Sequence, residues 1–181
     1  MSNSVWFGEV DQALVKLLKR IYGDSIQIYF NASRDLNDKK VNYPYIKIIH
    51  LGEVFDLERY DPNRQVIGYD AENSTITYED SALPYNLNYQ IEIITDSNKS
   101  NNLNTLKWAS NSRAFSTLKV IDNGGVERYC FMSCKQPVNL EENADNDKVL
   151  FRHIIRATIR VEVDESTPEV VKVATKIGLN I

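Results

Sequence analysis

The chain has 181 residues, of which 43% are hydrophobic and 25% are charged, and its net charge is −4. This length and composition are typical of one globular domain with a sizeable core, and the negative charge excludes a general attraction to nucleic acid. Seven glycines and five prolines are few for this length. Their scarcity excludes a collagenous or low-complexity chain and favours long regular elements.

The first predicted element is an amphipathic helix. Ser4 is a helix-capping residue type, and Gly23 is the expected C-terminal stop. The apolar residues that recur between them at helical spacing are Val5, Trp6, Val10, Ala13, Leu14, Leu17, Leu18 and Ile21. Charges inside this helix exclude a signal peptide, and no apolar run approaches the ~18 residues of a membrane span. We expect a helix that covers one face of a sheet, in a protein that is cytosolic in the cell that makes it.

Two strands are predicted next. Residues 25–30 and 43–51 have strand-like composition, and Pro44 restricts the second strand to an edge or an opening position. The polar residues 31–40 are expected to connect the two strands.

The middle of the chain contains a second helix between strands. Residues 56–70 are predicted to be irregular and residues 74–78 to form a short strand or hairpin arm. Residues 87–95 alternate well, with Glu92 on the polar face. A helix over residues 99–110 is expected to follow. The side chains that this helix is expected to bury are Leu103, Leu106 and Trp108.

The last third of the chain carries the clearest strand signals. Residues 118–121 and 126–135 flank the turn 122–125 and predict a hairpin. Residues 141–148 are predicted to form an acidic, Asn-rich loop. Residues 150–164 alternate over their whole length, so that one face is apolar and includes His153.

These elements predict an α+β fold, in which a mostly antiparallel twisted sheet of about six strands packs against two helices. We expect a single domain over residues 1–164 and an extended C-terminal arm over residues 165–181. Residues 169–181 are rich in apolar side chains, and we expect them to pack on a neighbour or to add a strand to one.

Side chains able to carry catalysis are few. His50 and His153 are the two histidines, and their separation and surroundings predict no metal site and no cofactor. Cys130 and Cys134 would lie about 13 Å apart along a strand, which is too far for a disulfide, and neither has a context that lowers a thiol pKa. We therefore predict a protein that is not an enzyme, with no catalytic residue. A hydrolase using Cys130 or a carboxylate pair is the enzymatic alternative.

Two charged sets predict contact surfaces. Arg152, Arg156 and Arg160 recur every four residues on one strand face and are called the arginine row, while residues 51–100 carry ten acids against three bases. The row suits ion pairs with the acids of a neighbouring subunit, simple solvation, or a phosphate backbone in a DNA-binding accessory protein. The further residues assigned to a subunit interface or lumen are Arg59, Asp61, Asp70, Glu72, Glu79 and Asp80.

Several short motifs together resemble a known family. They lie at residues 5–11, 58–62, 70–73, 79–80, 83–91 and 122–128. The combination resembles the tail terminator and tail-completion proteins that act at the head–tail junction of tailed phages, in particular small phage proteins from Gram-positive hosts. The resemblance spans most of residues 5–164.

The resemblance implies a structural virion protein of the tail or neck. Such a protein assembles with itself into a ring, usually hexameric, that caps the tail tube and joins it to the neck or head connector protein. The arginine row would then line a lumen through which DNA passes, or brace a subunit boundary. A head-completion or stopper protein of the neck is the related alternative. The resemblance implies no active site, no cofactor and no membrane partner.

Overall fold

The structure is a computed structural model that describes residues 7–30, 42–61, 65–122, 124–144, 148–163 and 169–172. Within these residues the chain forms two α-helices and ten β-strands. The helices are α1 (Phe7–Tyr22) and α2 (Asn98–Ser110). The strands are β1 (Gln27–Phe30), β2 (Tyr45–Phe55), β3 (Gln65–Asp70), β4 (Thr75–Glu79), β5 (Leu83–Thr95), β6 (Thr117–Ile121), β7 (Glu127–Cys134), β8 (Val138–Ala144), β9 (Lys148–Val163) and β10 (Glu169–Lys172).

Seven strands form the main sheet, in the order β1–β2–β5–β9–β7–β6, with β8 pairing with β9. The β1–β2 pair is parallel and the other pairs are antiparallel. The centre of the main sheet is the long β5–β9 ladder, which runs from Leu83 opposite Val163 to Thr95 opposite Phe151. A mostly antiparallel sheet with two helices confirms the predicted α+β class.

Helix α1 supplies much of the core, as its apolar spacing predicts. Val10, Leu14 and Leu18 are fully buried and belong to the same cluster as the apolar face of β5 and β9. The Tyr89 hydroxyl donates a 2.7 Å hydrogen bond to Asp11 Oδ1 and so ties β5 to the helix. Gly23 ends the helix with a φ of +114°, a conformation that favours glycine. Residues 4–6 of the predicted stripe lie outside the described residues.

Strand β9 has the two faces that its sequence predicts. The side chains buried on one face are those of His153, Ile155, Ala157, Ile159, Val161 and Val163. The predicted hairpin is β6–β7, and its turn is closed by Asp122. The Asp122 carboxylate accepts hydrogen bonds from the backbone amides of Val126 and Gly124 and from Arg128 Nε. These bonds, that from Val126 first, hold the pKa of Asp122 below its usual range.

A second, smaller sheet has the order β10–β4–β3 and is called the small sheet. Among the described residues, none of its strands packs extensively against the main sheet or the helices. The expectation that residues 56–70 are irregular is wrong for Gln65–Asp70. This segment forms β3 because β4 supplies an antiparallel partner and the Asp70 carboxylate closes the turn between them, accepting from the backbone amides of Glu72 and Asn73.

Two further sequence expectations need correction. The chain has ten strands within its described parts, not about six. Part of the predicted loop at residues 141–148 belongs to β8, which pairs with β9 from Val138 opposite Ile154 to Ala144 opposite Lys148. A polar segment can form a strand at this position because β9 offers it a full set of backbone partners.

Pro44 immediately precedes β2, which lies between β1 and β5, so it occupies the opening position.

Helix α2 contradicts its predicted orientation. Leu103 and Leu106 are 49% and 65% exposed, whereas Asn101 and Asn104 are buried, and Trp108 is half-buried. Its start is as expected, because the Ser97 side chain accepts a hydrogen bond from the Ser100 backbone amide. The side-chain contact of α2 with β8 is made by Thr105 Oγ1, which accepts a 3.3 Å hydrogen bond from Asn139 Nδ2.

Glu92 is a second residue whose predicted exposure is wrong. It was expected on a solvated face of its strand but is only 4% exposed. The whole C-terminal end of β5, from Ile91 to Thr95, is buried on both faces. Alternation of polar and apolar residues in a strand predicts that the polar side chains are exposed only where one face of the strand stays open to water.

The predicted boundary between a domain at 1–164 and an arm at 165–181 stays a prediction, although β10 pairs with β4 of the same chain.

Candidate functional site

His153 lies in the core as a structural residue. Its Nδ1 is 2.8 Å from Asn139 Oδ1, and Asn139 in turn donates to Thr105 Oγ1 at 3.3 Å. Burial lowers the pKa of His153 to about 4, so the ring is neutral at physiological pH and its Nδ1–H is the donor to Asn139. This chain of contacts connects β9, β8 and α2.

The two thiols lack the surroundings of a catalytic nucleophile. Burial raises the pKa of Cys130 to about 11, with a contribution from Glu162, and raises the pKa of Cys134 to about 12. A nucleophilic cysteine needs the opposite shift, because the thiolate is the reactive form. The raised pKa values of the two thiols therefore give no support to the alternative of a hydrolase using Cys130.

The described parts of the chain lack two further kinds of feature. No group of three His, Cys, Asp or Glu side chains there could hold a metal ion. No helix there is long and apolar enough to cross a membrane.

The arginine row divides into two environments. Arg152 is partly buried, and its Nη2 is 2.5 Å from Glu142 Oε2 on β8 while its Nη1 is 3.7 Å from Glu92 Oε2 on β5. It therefore bridges the two strands that flank β9. Because Glu92 is buried, Arg152 provides the nearby positive charge that this carboxylate requires.

Arg156 and Arg160 are exposed and available to a partner. Neither forms an ion pair with a carboxylate of the described residues. The Arg160 guanidinium lies 5.1 Å from the ring centre of Phe131, which is half-exposed on β7. An arginine stacked on an exposed aromatic ring combines charge with apolar contact area, a pairing common at protein interfaces.

Arg59 connects the segment after β2 to the end of β9. Its Nη2 is 3.3 Å from Glu162 Oε1 and its Nη1 is 3.9 Å from Asp56 Oδ2. A cavity of about 560 Å³ opens beside this contact. The residues that line it are Arg59, Glu127, Arg128, Tyr129, Cys130, Phe131, Arg160, Val161 and Glu162.

The predicted acidic residues lie around the small sheet. Asp70 and Glu72 are at the tip of the β3–β4 hairpin, where hydrogen bonds from the Asn73 side chain and backbone lower the pKa of Asp70. Glu79 ends β4 and Asp80 follows it, and Asp61 precedes β3. The acids and the exposed arginines thus occupy different parts of one chain.

Exposed apolar side chains form surfaces that sequence patterns did not reveal. Tyr129 and Phe131 lie on β7, Leu103 and Leu106 on α2, and a third set on the small sheet. The members of that third set are Val66, Ile67, Tyr69 and Val170. Grouped apolar exposure of this kind is typical of proteins that bind other proteins.

Comparisons with known proteins show where this fold occurs. No protein-family model matches the sequence, and no curated protein sequence matches it. The structure is similar to the sheath/tube terminator of an extracellular contractile injection system (PVC) in its extended state, with a TM-score of 0.60 and 13% identity. The match covers 99% of this chain and 64% of that chain. A second solved chain, 9% identical over 82% of this chain and 94% of its own, has a TM-score of 0.37 and supports no argument.

The likeness confirms the predicted terminator-like fold at the level of architecture. It extends over almost the whole chain, including the small sheet and the main sheet with its helices. This chain spans about two-thirds of the length of that terminator, so anything contributed by the remaining third of the terminator has no counterpart in the match.

Proposed function

We propose that this chain is the terminator subunit of a tail-like particle, in which copies of the chain form a ring at the end of the tube. The observation that carries the proposal is the fold likeness to a sheath/tube terminator over 99% of the chain. In this role the chain binds the tail tube, is located in the particle and performs no catalysis. In a phage, the same ring would join the tube to the neck and head connector.

The surfaces of the chain support a ring-forming role. A ring subunit needs two different surfaces that fit each other on adjacent copies, because a head-to-tail contact can close into a ring. Arg156 and Arg160 on the main sheet carry positive charge, with Arg160 beside Phe131, and Asp70 and Glu72 at the tip of the β3–β4 hairpin carry negative charge near Tyr69 in sequence. These surfaces are complementary in charge and both have exposed aromatic area.

We infer that adjacent subunits meet through these two surfaces, with Arg59, Asp61, Glu79 and Asp80 near the same boundary. Arg152 contributes to the fold of its own subunit, because it already bridges Glu92 and Glu142. Contact with a neighbouring subunit, or with DNA in a lumen, is therefore left to the two exposed members of the arginine row, Arg156 and Arg160.

A sedimentation experiment tests the location at tube ends. Purified chain is mixed with purified tail tubes and with the same mass of tubes sheared to about half their length. A terminator binds in proportion to the number of tube ends, so the sheared tubes should retain about twice as much chain. Equal retention per mass of tube would show binding along the wall and would contradict the proposal.

A charge exchange tests the subunit contact. Arg156→Glu should weaken self-association measured by light scattering, because like charges would then face each other. Adding Glu72→Lys to the same chain should restore part of the association. Lys99→Glu on the exposed side of α2 is the matched control and should leave association unchanged. If all three chains associate equally, the proposed contact is wrong.

A further inference from the structure

Strand β6 is an edge strand with an unused side. Among the described residues it pairs with β7 alone, and β7 continues the sheet on the other side. In an antiparallel pair, alternate residues direct both backbone groups toward the partner strand. The bonds from Met132 N–H to Ser116 O and from Asp122 N–H to Val126 O fix this alternation. The backbone groups of residues 118 and 120 therefore form hydrogen bonds with β7. The backbone groups of Thr117, Lys119 and Ile121 point to the free edge.

A cleft of about 500 Å³ lies along this free edge. One wall is β6, with Tyr129 of the neighbouring strand beside it, and the other wall is α1. The residues that line the cleft from the helix are Glu9, Gln12, Ala13, Lys16, Leu17 and Arg20. Ala13, Leu17 and Leu118 give it an apolar floor, while Lys16 and Arg20 make its rim polar. The cleft thus combines open backbone groups with an apolar floor and a polar rim, as a site for an added strand requires.

The chain itself contains a segment of matching chemistry. Residues 173–181 alternate in sequence between larger, mainly apolar side chains and small or polar ones. The first set is Val173, Thr175, Ile177, Leu179 and Ile181, and the second is Ala174, Lys176, Gly178 and Asn180. This period of two is typical of a strand with one face against an apolar surface and the other toward water. Nine residues are ample to pair with the five residues of β6.

The starting point of this segment favours a neighbouring copy as its acceptor. Strand β10 ends at Lys172 on the small sheet, which does not pack extensively on the main sheet among the described residues. The segment therefore begins on the small sheet, whose described strands have no extensive contact with β6 or α1 of the same chain.

We propose that residues 173–181 of one copy add as a strand to the free edge of β6 in the next copy, in the cleft between β6 and α1. This inference rests on the proposed ring and deepens it by naming the segment that links adjacent subunits. Backbone hydrogen bonds from Thr117, Lys119 and Ile121 give the contact its affinity, and apolar side chains over Leu17 and Leu118 set its register.

Disulfide trapping in assembled particles tests the pairing. Two differently tagged chains are co-expressed, one with Lys119→Cys and the other with a single cysteine at Thr175, Ile177 or Leu179. Mild oxidation should give a disulfide between the two tags for at least one of the three positions. Replacing Lys119→Cys by Lys99→Cys, an exposed site on α2, should reduce this product at least tenfold.

A backbone substitution provides an independent check. Lys119→Pro removes an amide hydrogen that faces the free edge and leaves the bonds from β6 to β7 in place. It should lower the yield of particles that retain the chain at least tenfold, while Lys119→Ala, which removes the same charge but keeps the amide, should not. Circular dichroism of both purified variants verifies that each one is folded.

The results separate failure of this inference from failure of the proposed ring. If rings form on tubes but no disulfide forms above the Lys99→Cys control, the inference is wrong and the ring stands. A disulfide that forms only when both cysteines are on one chain would also overturn it, because the arm would then bind its own β6. If the chain is absent from tube ends altogether, the proposed function fails first.

Discussion

Arg152 and Arg156 lie four residues apart on the same face of β9, yet their surroundings differ. Arg152 lies between the carboxylates of Glu92 and Glu142, and Arg156 has no ion-pair partner among the described residues. The sequence alone shows three equivalent arginines, because their spacing carries no information about which strands flank each position. The neighbours come from the pairing of β5 and β8 with β9, which is a long-range property.

This difference predicts unequal stability effects. Arg152→Ala removes the cation beside the buried Glu92 and should lower the free energy of unfolding by about 2 kcal/mol. Arg156→Ala should change it by less than about 0.5 kcal/mol, as is usual for an exposed side chain. Urea unfolding of the two variants measures both values. Equal losses would show that Glu92 does not depend on Arg152.

His153 makes the stability of the chain depend on pH. Its pKa in the folded chain is about 4, against an ordinary value of 6.5, because burial disfavours the charged ring. Between these two values the unfolded chain binds more protons than the folded chain. The stability from neutral His153 is therefore complete above pH 6.5 and is lost as the pH falls toward 4.

The expected loss over that range is on the order of 3 kcal/mol from this residue. His153→Gln should flatten the pH dependence of the unfolding free energy between pH 6.5 and pH 4. Urea unfolding at a series of pH values measures the difference. A His153→Gln chain with an unchanged slope would contradict the assigned burial of the imidazole.

At the scale of elements, α2 is oriented against the usual rule for amphipathic helices. Its leucines Leu103 and Leu106 are exposed, whereas Asn101 and Asn104 are buried. A sequence pattern identifies which residues share a helix face but assumes that the apolar face is the buried one. In α2 the apolar side chains Leu103 and Leu106 are the exposed ones, so the assumption fails.

This orientation predicts that the α2 leucines are nearly neutral for folding. Leu106→Ser should change the free energy of unfolding by less than about 0.5 kcal/mol, because the side chain is exposed. Leu14→Ala in α1, at a fully buried position, is the comparison and should cost about 2–5 kcal/mol. Thermal and urea unfolding provide both values. A large loss for Leu106→Ser would show that α2 is packed the other way round.

Local patterns predicted the elements that have one plainly apolar face. Helix α1, the β6–β7 hairpin and the two faces of β9 follow from periodicity and turn residues in the sequence. Strands β3 and β8 were not predicted because their side chains have no buried face, and they exist through backbone pairing with β4 and β9. Backbone pairing leaves no periodic trace in the sequence of a strand that has no buried face, even when the partner is the next strand along the chain.

The same distinction applies to the candidate surfaces. The arginine row was visible in sequence as a repeat of charge, whereas the cleft along β6 depends on where α1 lies relative to an edge strand. The acids of the middle segment were predicted as a set, and their location around the small sheet required the β3–β4–β10 pairing.

At the scale of the whole molecule, the chain has several surfaces that a solitary subunit would leave unused. The small sheet carries exposed apolar side chains, the edge of β6 carries open backbone groups, and β7 carries exposed aromatic rings beside Arg160. A subunit of an assembly uses such surfaces for its neighbours. In the proposed terminator role, these neighbours would be further copies of the chain in a ring at a tube end.

The most direct test of this account is to locate the chain in intact tail-like particles by electron microscopy, using a gold-labelled tag on the chain. The account predicts label at one end of the tube only, in the form of a closed ring in end-on class averages. Label distributed along the tube, or a complete particle that lacks the chain, would contradict it.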